Sequence, residues 1–106
     1  MLENKYRLKI VPKAEEDLDD IFYYIALELN NKSAAEKLIN QFSNKVLRLQ
    51  DFPFSCSVVE DPFLKDKGYR KLIIDNYIVF YIVNEAEQQV VVMRVLYSRK
   101  KYEDLI

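Results

Sequence analysis

The side chains best equipped for chemistry are two groups of cations. Lys65, Lys67, Arg70 and Lys71 sit together with a single acid, Asp66, and Arg94, Arg99, Lys100 and Lys101 have no acid among them. A guanidinium presents a planar fork of donors that matches an anionic oxygen pair, so both groups suit an anionic partner. Their counterweight lies elsewhere: Glu15, Glu16, Asp17, Asp19, Asp20 and Glu28 gather between Lys13 and Leu29. Other chemistry has little to work with. Cys56 is the only cysteine and the chain has no histidine to activate it, so it reads as a small apolar filler. There is no cluster of metal ligands, no phosphate-cradling Gly-rich loop and no nucleophile elbow, and no metal or other cofactor is expected.

The 106 residues suit one domain, 1–106, in which folding buries roughly 65% of the unfolded surface. Half the residues are apolar and the net charge is −1, a globular composition that argues against a protein coated in nucleic acid. One cysteine allows no internal disulfide and is consistent with a reducing compartment. Met1 to Lys9 lacks the apolar stretch of a signal peptide, and the longest apolar run, Tyr77 to Val83, is too short to span a bilayer. A soluble, cytoplasmic protein with no membrane partner is expected.

The elements that must position these cations follow from periodicity. Tyr6 to Val11 alternates apolar and basic residues, as a half-buried strand does, and Pro12 ends it. Ala14, Leu18, Ile21, Phe22, Ile25 and Leu29 recur at steps of three and four, which predicts one helix over this stretch. The acids crowd its first two turns, where the helix dipole favours them. After the break at Asn30 to Lys32, Ser33 and Glu36 form a capping box for a second helix striped by Ala35, Leu38, Ile39, Phe42, Val46 and Leu49. Asp51 to Gly68 reads as a long loop tacked to the core by Phe52, Phe54 and Phe63. Tyr69 to Asp75, Tyr77 to Val83 and Gln89 to Tyr97 then read as an antiparallel meander, with Asn76 the residue suited to the first turn.

The order is β-α-α-β-β-β, an α+β domain with a helical hairpin packed on a mostly antiparallel four-stranded sheet. One feature departs from simple patterning. Tyr77 to Val83 and Val90 to Val92 are apolar on both alternating sets, whereas a sheet covered on one face should be polar on the other. Either the loop 51–68 and the tail bury the second face, or that face is kept apolar for a partner segment.

Gly68 to Val83 resembles the paired central strands of RelE/ParE toxins, in which an Arg (Arg70 here) opens one strand. The next strand carries aromatic–x–apolar–x–Tyr, here Tyr77, Val79 and Tyr81. Val90 to Tyr102 resembles their last strand and terminus, V-x-H-x-R followed by a Tyr, and the strand–helix–helix first half agrees. The resemblance implies a growth-inhibiting toxin of a type II toxin–antitoxin pair, bound by a cognate antitoxin that lays a helix or extended segment over it.

The superfamily's targets divide. ParE-like members block DNA gyrase, and RelE-like members cut mRNA in the translating ribosome. By resemblance, RNA cleavage would place Arg70 and Arg99 on the phosphate with Tyr97 or Tyr102 near the reacting groups. Lys71, Tyr77, Tyr81, Arg94, Lys100 and Lys101 would contact the target or the antitoxin. Against that, Tyr97 stands where many nucleolytic relatives carry His, and an unshifted Tyr with a pKa of about 10 is a poor base at neutral pH. The ParE-like reading therefore comes first, the ribosome-dependent endoribonuclease second, and a non-toxic interaction domain third. Each cation also has a plainer use: Arg94 could pair with an acid such as Asp75, and Lys100 and Lys101 could be solvated tail charges.

Overall fold

The computed structural model describes residues 5–100, so Lys101 and Tyr102 lie outside the described residues. The chain forms β1 (Arg7–Ile10), α1 (Pro12–Tyr23), a π-helical turn (Tyr24–Glu28), α2 (Lys32–Arg48), α3 (Pro62–Asp66), β2 (Arg70–Ile74), β3 (Tyr77–Asn84) and β4 (Gln89–Tyr97). The strands lie in the order β1-β4-β3-β2. The last three form the expected antiparallel meander, and β1 pairs parallel to β4, which makes the sheet mixed. The expected α+β architecture is present.

Pro12 opens α1 at a position where its missing N–H would have had no helical partner. The single helix expected through Leu29 changes character at Tyr24. Leu29 N–H reaches back to the Tyr24 carbonyl at 3.0 Å, an i→i−5 closure, and Asn30 leaves the helix with φ +51°. The extra residue in that turn rotates the stripe. Ile25 stays buried, but Leu29, expected in the core, is 55% exposed. The capping box also yields to a closer donor set: Asn31, not Ser33, caps α2, its Oδ1 accepting the Ala34 N–H at 3.0 Å. Ala35, Leu38, Phe42, Val46 and Leu49 are buried as their spacing predicts. In the β2–β3 turn the positive φ falls on Asp75, at +52°, rather than on Asn76, whose carbonyl instead accepts the Ser98 N–H.

The segment 51–68 is not all loop. Asp61 caps α3 by accepting the Leu64 N–H at 3.1 Å, with Pro62 in the first turn. The three phenylalanines expected to tack the segment down are exposed instead; Pro53, Val59 and Leu64 are the residues it buries, with Tyr69 buried just after it. This resolves the doubly apolar strands. Helices α1 and α2 cover Val79, Tyr81, Val90, Val92 and Val95 on one face. On the other, Val59, Leu64 and Tyr69 pack against Ile78, Phe80 and Leu96. Both alternating sets are apolar because both faces are covered.

A buried polar contact joins the first helix to the sheet. Phe80 pairs with Arg94 and Tyr81 with Val92, so Met93 is an extra residue in β4, a β-bulge. There Asp17 of α1 accepts Arg94 Nε at 2.8 Å and Nη2 at 3.0 Å, and the Val95 N–H at 3.0 Å. Arg94 thus pairs with Asp17 rather than with Asp75, and this bond pushes its pKa above the ordinary guanidinium value. Removing one partner of a buried pair strands the other in low dielectric. Asp17→Ala should therefore lower unfolding free energy by about 3–5 kcal/mol in urea melts. The double change Asp17→Leu, Arg94→Met should recover most of it but retain a deficit of about 1–3 kcal/mol, because the Val95 N–H stays unsatisfied.

Candidate functional site

The sequence-selected residues fall in three places. At the start of β2, Arg70 donates from Nη1 to the Cys56 carbonyl at 2.6 Å, and its guanidinium lies 5.0 Å from the Phe54 ring centroid. Its cross-strand neighbour Tyr81 is fully buried and donates its hydroxyl to the Pro53 carbonyl at 3.0 Å. Burial pushes the Tyr81 phenol up, so it keeps its proton through neutral pH. Together the two side chains contact three residues of one loop, Pro53, Phe54 and Cys56. Lys71 extends the grip through its backbone, its N–H donating to the Ser57 carbonyl at 3.0 Å.

The second place is the opposite end of the sheet. Tyr77 and Tyr97 face each other across β3 and β4 with ring centroids 5.7 Å apart in an edge-to-face arrangement. Burial, then the neighbouring Tyr97 and Tyr24 phenols, raise the Tyr77 pKa. Arg99 and Lys100 follow in an exposed turn, where the Lys100 N–H donates to the Tyr97 carbonyl. Of the exposed residues near the end of the first helix, Tyr23, Tyr24, Leu27 and Leu29, it is Tyr24 whose phenol acts on Tyr77. The third place is the Asp17–Arg94 clamp between α1 and β4.

The register separates the first two. Arg70 lies level with Tyr81 and Val92, whereas Tyr97 lies level with Tyr77 and Ile74. Four residues along a strand and two strands across amount to about 13 Å by about 10 Å. Arg70 and Tyr97 therefore stand at opposite ends of the sheet, and the Arg70 guanidinium donates to the loop. Phosphodiester cleavage needs a base, an acid and charge stabilisation within hydrogen-bond reach of one centre. An aromatic and basic sheet end suits protein recognition better. Among the described residues no His, Cys, Asp and Glu group could hold a metal.

Three participants escaped sequence reasoning. Asp17 sits three residues after buried Ala14, on the inward face of α1, and an acid on an apolar stripe is the signal that a buried cation awaits it. Pro53 and Cys56 act through backbone carbonyls, which leave no mark in the sequence. The sequence profile of the family described as ParE toxin of type II toxin-antitoxin system, parDE, matches residues 8–102. No curated protein matches the chain. Among solved structures, the chromosomal ParDE toxin–antitoxin system from P. aeruginosa superposes with TM-score 0.68 at 22% identity, over 90% of this chain and 98% of that one. The E. coli RelBE toxin–antitoxin complex gives 0.61 at 15% identity over 90% and 99%. The Helicobacter pylori protein HP0894 gives 0.52 at 18% over 87% and 93%.

The raised Tyr81 pKa has a thermodynamic consequence with a defined sign. The folded state holds the proton more tightly than the unfolded chain, so Tyr81's contribution is complete below pH ~10 and is lost as pH rises through the folded value. Stability in urea should fall above pH ~10, and Tyr81→Phe should flatten part of that fall. At neutral pH the same variant should lose about 1–3 kcal/mol, since it leaves the Pro53 carbonyl without its donor.

Proposed function

Because the chain belongs to the ParE toxin family of type II toxin–antitoxin systems, we propose that it arrests growth by inhibiting DNA gyrase and is silenced by a cognate antitoxin. The family match over residues 8–102 carries the reading. ParE- and RelE-type toxins share this fold, so the choice of target rests on side chains, and these favour a binding inhibitor. The chain has no histidine. The Arg70 guanidinium is bound to the Cys56 carbonyl, and the Tyr81 phenol is held protonated and buried. What is left exposed is suited to contact: Tyr97 with Arg99 and Lys100 at one sheet end, and the tyrosines and leucines at the end of the first helix.

An antitoxin partner is supported by the neighbours, which come from ParDE and RelBE toxin–antitoxin systems. Protein partners of this kind use aromatic and Arg anchors in a desolvated centre with a polar rim. The exposed tyrosines and leucines at the end of the first helix and the Tyr97–Arg99 turn have that composition. No helix among the described residues is long and apolar enough to cross a membrane.

The test uses purified protein in two assays run side by side. Gyrase supercoiling should be inhibited, with cleaved DNA trapped on the enzyme, while mRNA in a translation extract keeps its 5′ ends. Arg99→Ala and Tyr97→Ala, shown to be folded, should weaken gyrase inhibition roughly tenfold or more, as expected for the loss of an anchor residue. Active gyrase together with new, ribosome-dependent mRNA ends would replace this reading with the endoribonuclease. Activity in neither assay would leave an interaction domain.

A further inference from the structure

The two tethers from Arg70 and Tyr81 do more than hold a loop: they shape a cleft. Between the C-terminal half of α2 and the loop after it lies an open depression of about 240 Å³, lined by Lys45, Arg48, Leu49, Phe52, Cys56 and Leu72. Its size decides what can enter. Small-molecule sites run from about 300 to 1,000 Å³ and enclose their ligand, so this cleft suits one or two side chains of a polypeptide. Leu49, only 2% exposed, and Leu72 give it an apolar base, and the exposed Phe52 ring gives it a wall.

Charge defines the occupant further. Lys45 and Arg48 lie three residues apart on one face of α2, and among the described residues neither has a carboxylate within 4 Å. Asp51, the nearest acid along the chain, is turned to Lys5 at 3.8 Å. Two cations near the end of α2 also complement the helix dipole, which accounts for their sign but not for an apolar cavity between them. The loop that carries the wall is tied down without a ligand, Arg70 holding the Cys56 carbonyl and Tyr81 the Pro53 carbonyl. A preformed site spares the occupant the ordering penalty of building it.

We propose that this cleft is a docking site for an acidic, apolar-tipped segment of a protein partner, with a Leu- or Phe-like side chain on Leu49 and Leu72 and a flanking carboxylate between Lys45 and Arg48. The identification of that partner as the antitoxin rests on the toxin–antitoxin reading; the chemistry of the cleft does not. Arg70 and Tyr81 then act as positioning residues for this site.

The chain's single cysteine supplies a local readout, because Cys56 lines the cleft. The full-length protein is alkylated with iodoacetamide, a neutral reagent, and the rate is followed by intact mass. A short peptide of alternating Leu and Glu, at about ten times its dissociation constant, should slow alkylation roughly tenfold. Peptides with Lys or Ser in place of Glu should not. In the Lys45→Glu, Arg48→Glu protein the Leu–Glu peptide should give no protection while urea unfolding stays cooperative, with a midpoint lowered only by the reversed helix-dipole contribution. Absence of protection, or equal protection by the Leu–Ser peptide, overturns the proposal. Growth arrest on induction is scored separately: protection without arrest keeps the cleft and removes the toxin reading, and arrest without protection does the reverse.

Discussion

The carboxylate of Asp17 is the contact on which the arrangement of layers depends. It takes both nitrogens of the Arg94 fork and the Val95 N–H, so one buried anion ties the first helix to a bulge in the last strand, 77 residues away. The pair is 9% and 13% exposed at the side chains, and an unpartnered charge in such a place would be strongly disfavoured. Apolar packing alone leaves a helix free to slide over a sheet by small steps at little loss. A bidentate pair with a third, backbone donor does not, because every alternative position strands a charge. Since β4 pairs with both β1 and β3, the register of the whole sheet relative to the helical hairpin follows from that one contact.

The second constraint is a sheet with two apolar faces. A domain of this size has little helix to spare, and the hairpin covers one face only. The other is closed by a short helix and a few residues of the segment before β2, with Val59, Leu64 and Tyr69 as anchors. That economy explains why the basic start of β2 has a structural task. A segment with few apolar anchors is secured instead by hydrogen bonds to its carbonyls. Arg70 and Tyr81 supply them at Cys56 and Pro53.

These two constraints shape what is left for partners. Sheet, hairpin and segment consume Arg70, Tyr81 and Arg94. The outward surface keeps the tyrosines and leucines of the hairpin tip, the Tyr97–Lys100 turn and the cleft beside α2. Such surfaces recognise proteins by shape, apolar anchors and charge. Surfaces of this composition act by occupying a partner. With a net charge of −1, the long-range attraction to nucleic acid that a ribosome-bound nuclease exploits is weak.

Local periodicity was enough to determine the four strands and two long helices in their order, the two helical stripes from Ala14 to Ile25 and Ala35 to Leu49, and the meander, but not the short helix Pro62–Asp66. Each of these depends on side-chain spacing within a few residues. The ordered strand motifs were likewise enough for family membership. Tertiary structure alone decided the rest. Whether the second sheet face was covered depended on how a segment with few apolar residues folds back, which no periodicity encodes. Leu29 read as core because helical spacing assumes a constant phase, and the π turn changed it. Phe52, Phe54 and Phe63 read as anchors because hydrophobicity does not say which way a side chain points. The partner of Arg94 and the carbonyls that hold Arg70 and Tyr81 are long-range or backbone contacts. For those, the energy lies in three-dimensional proximity, and the sequence records only that a polar group must find a partner somewhere.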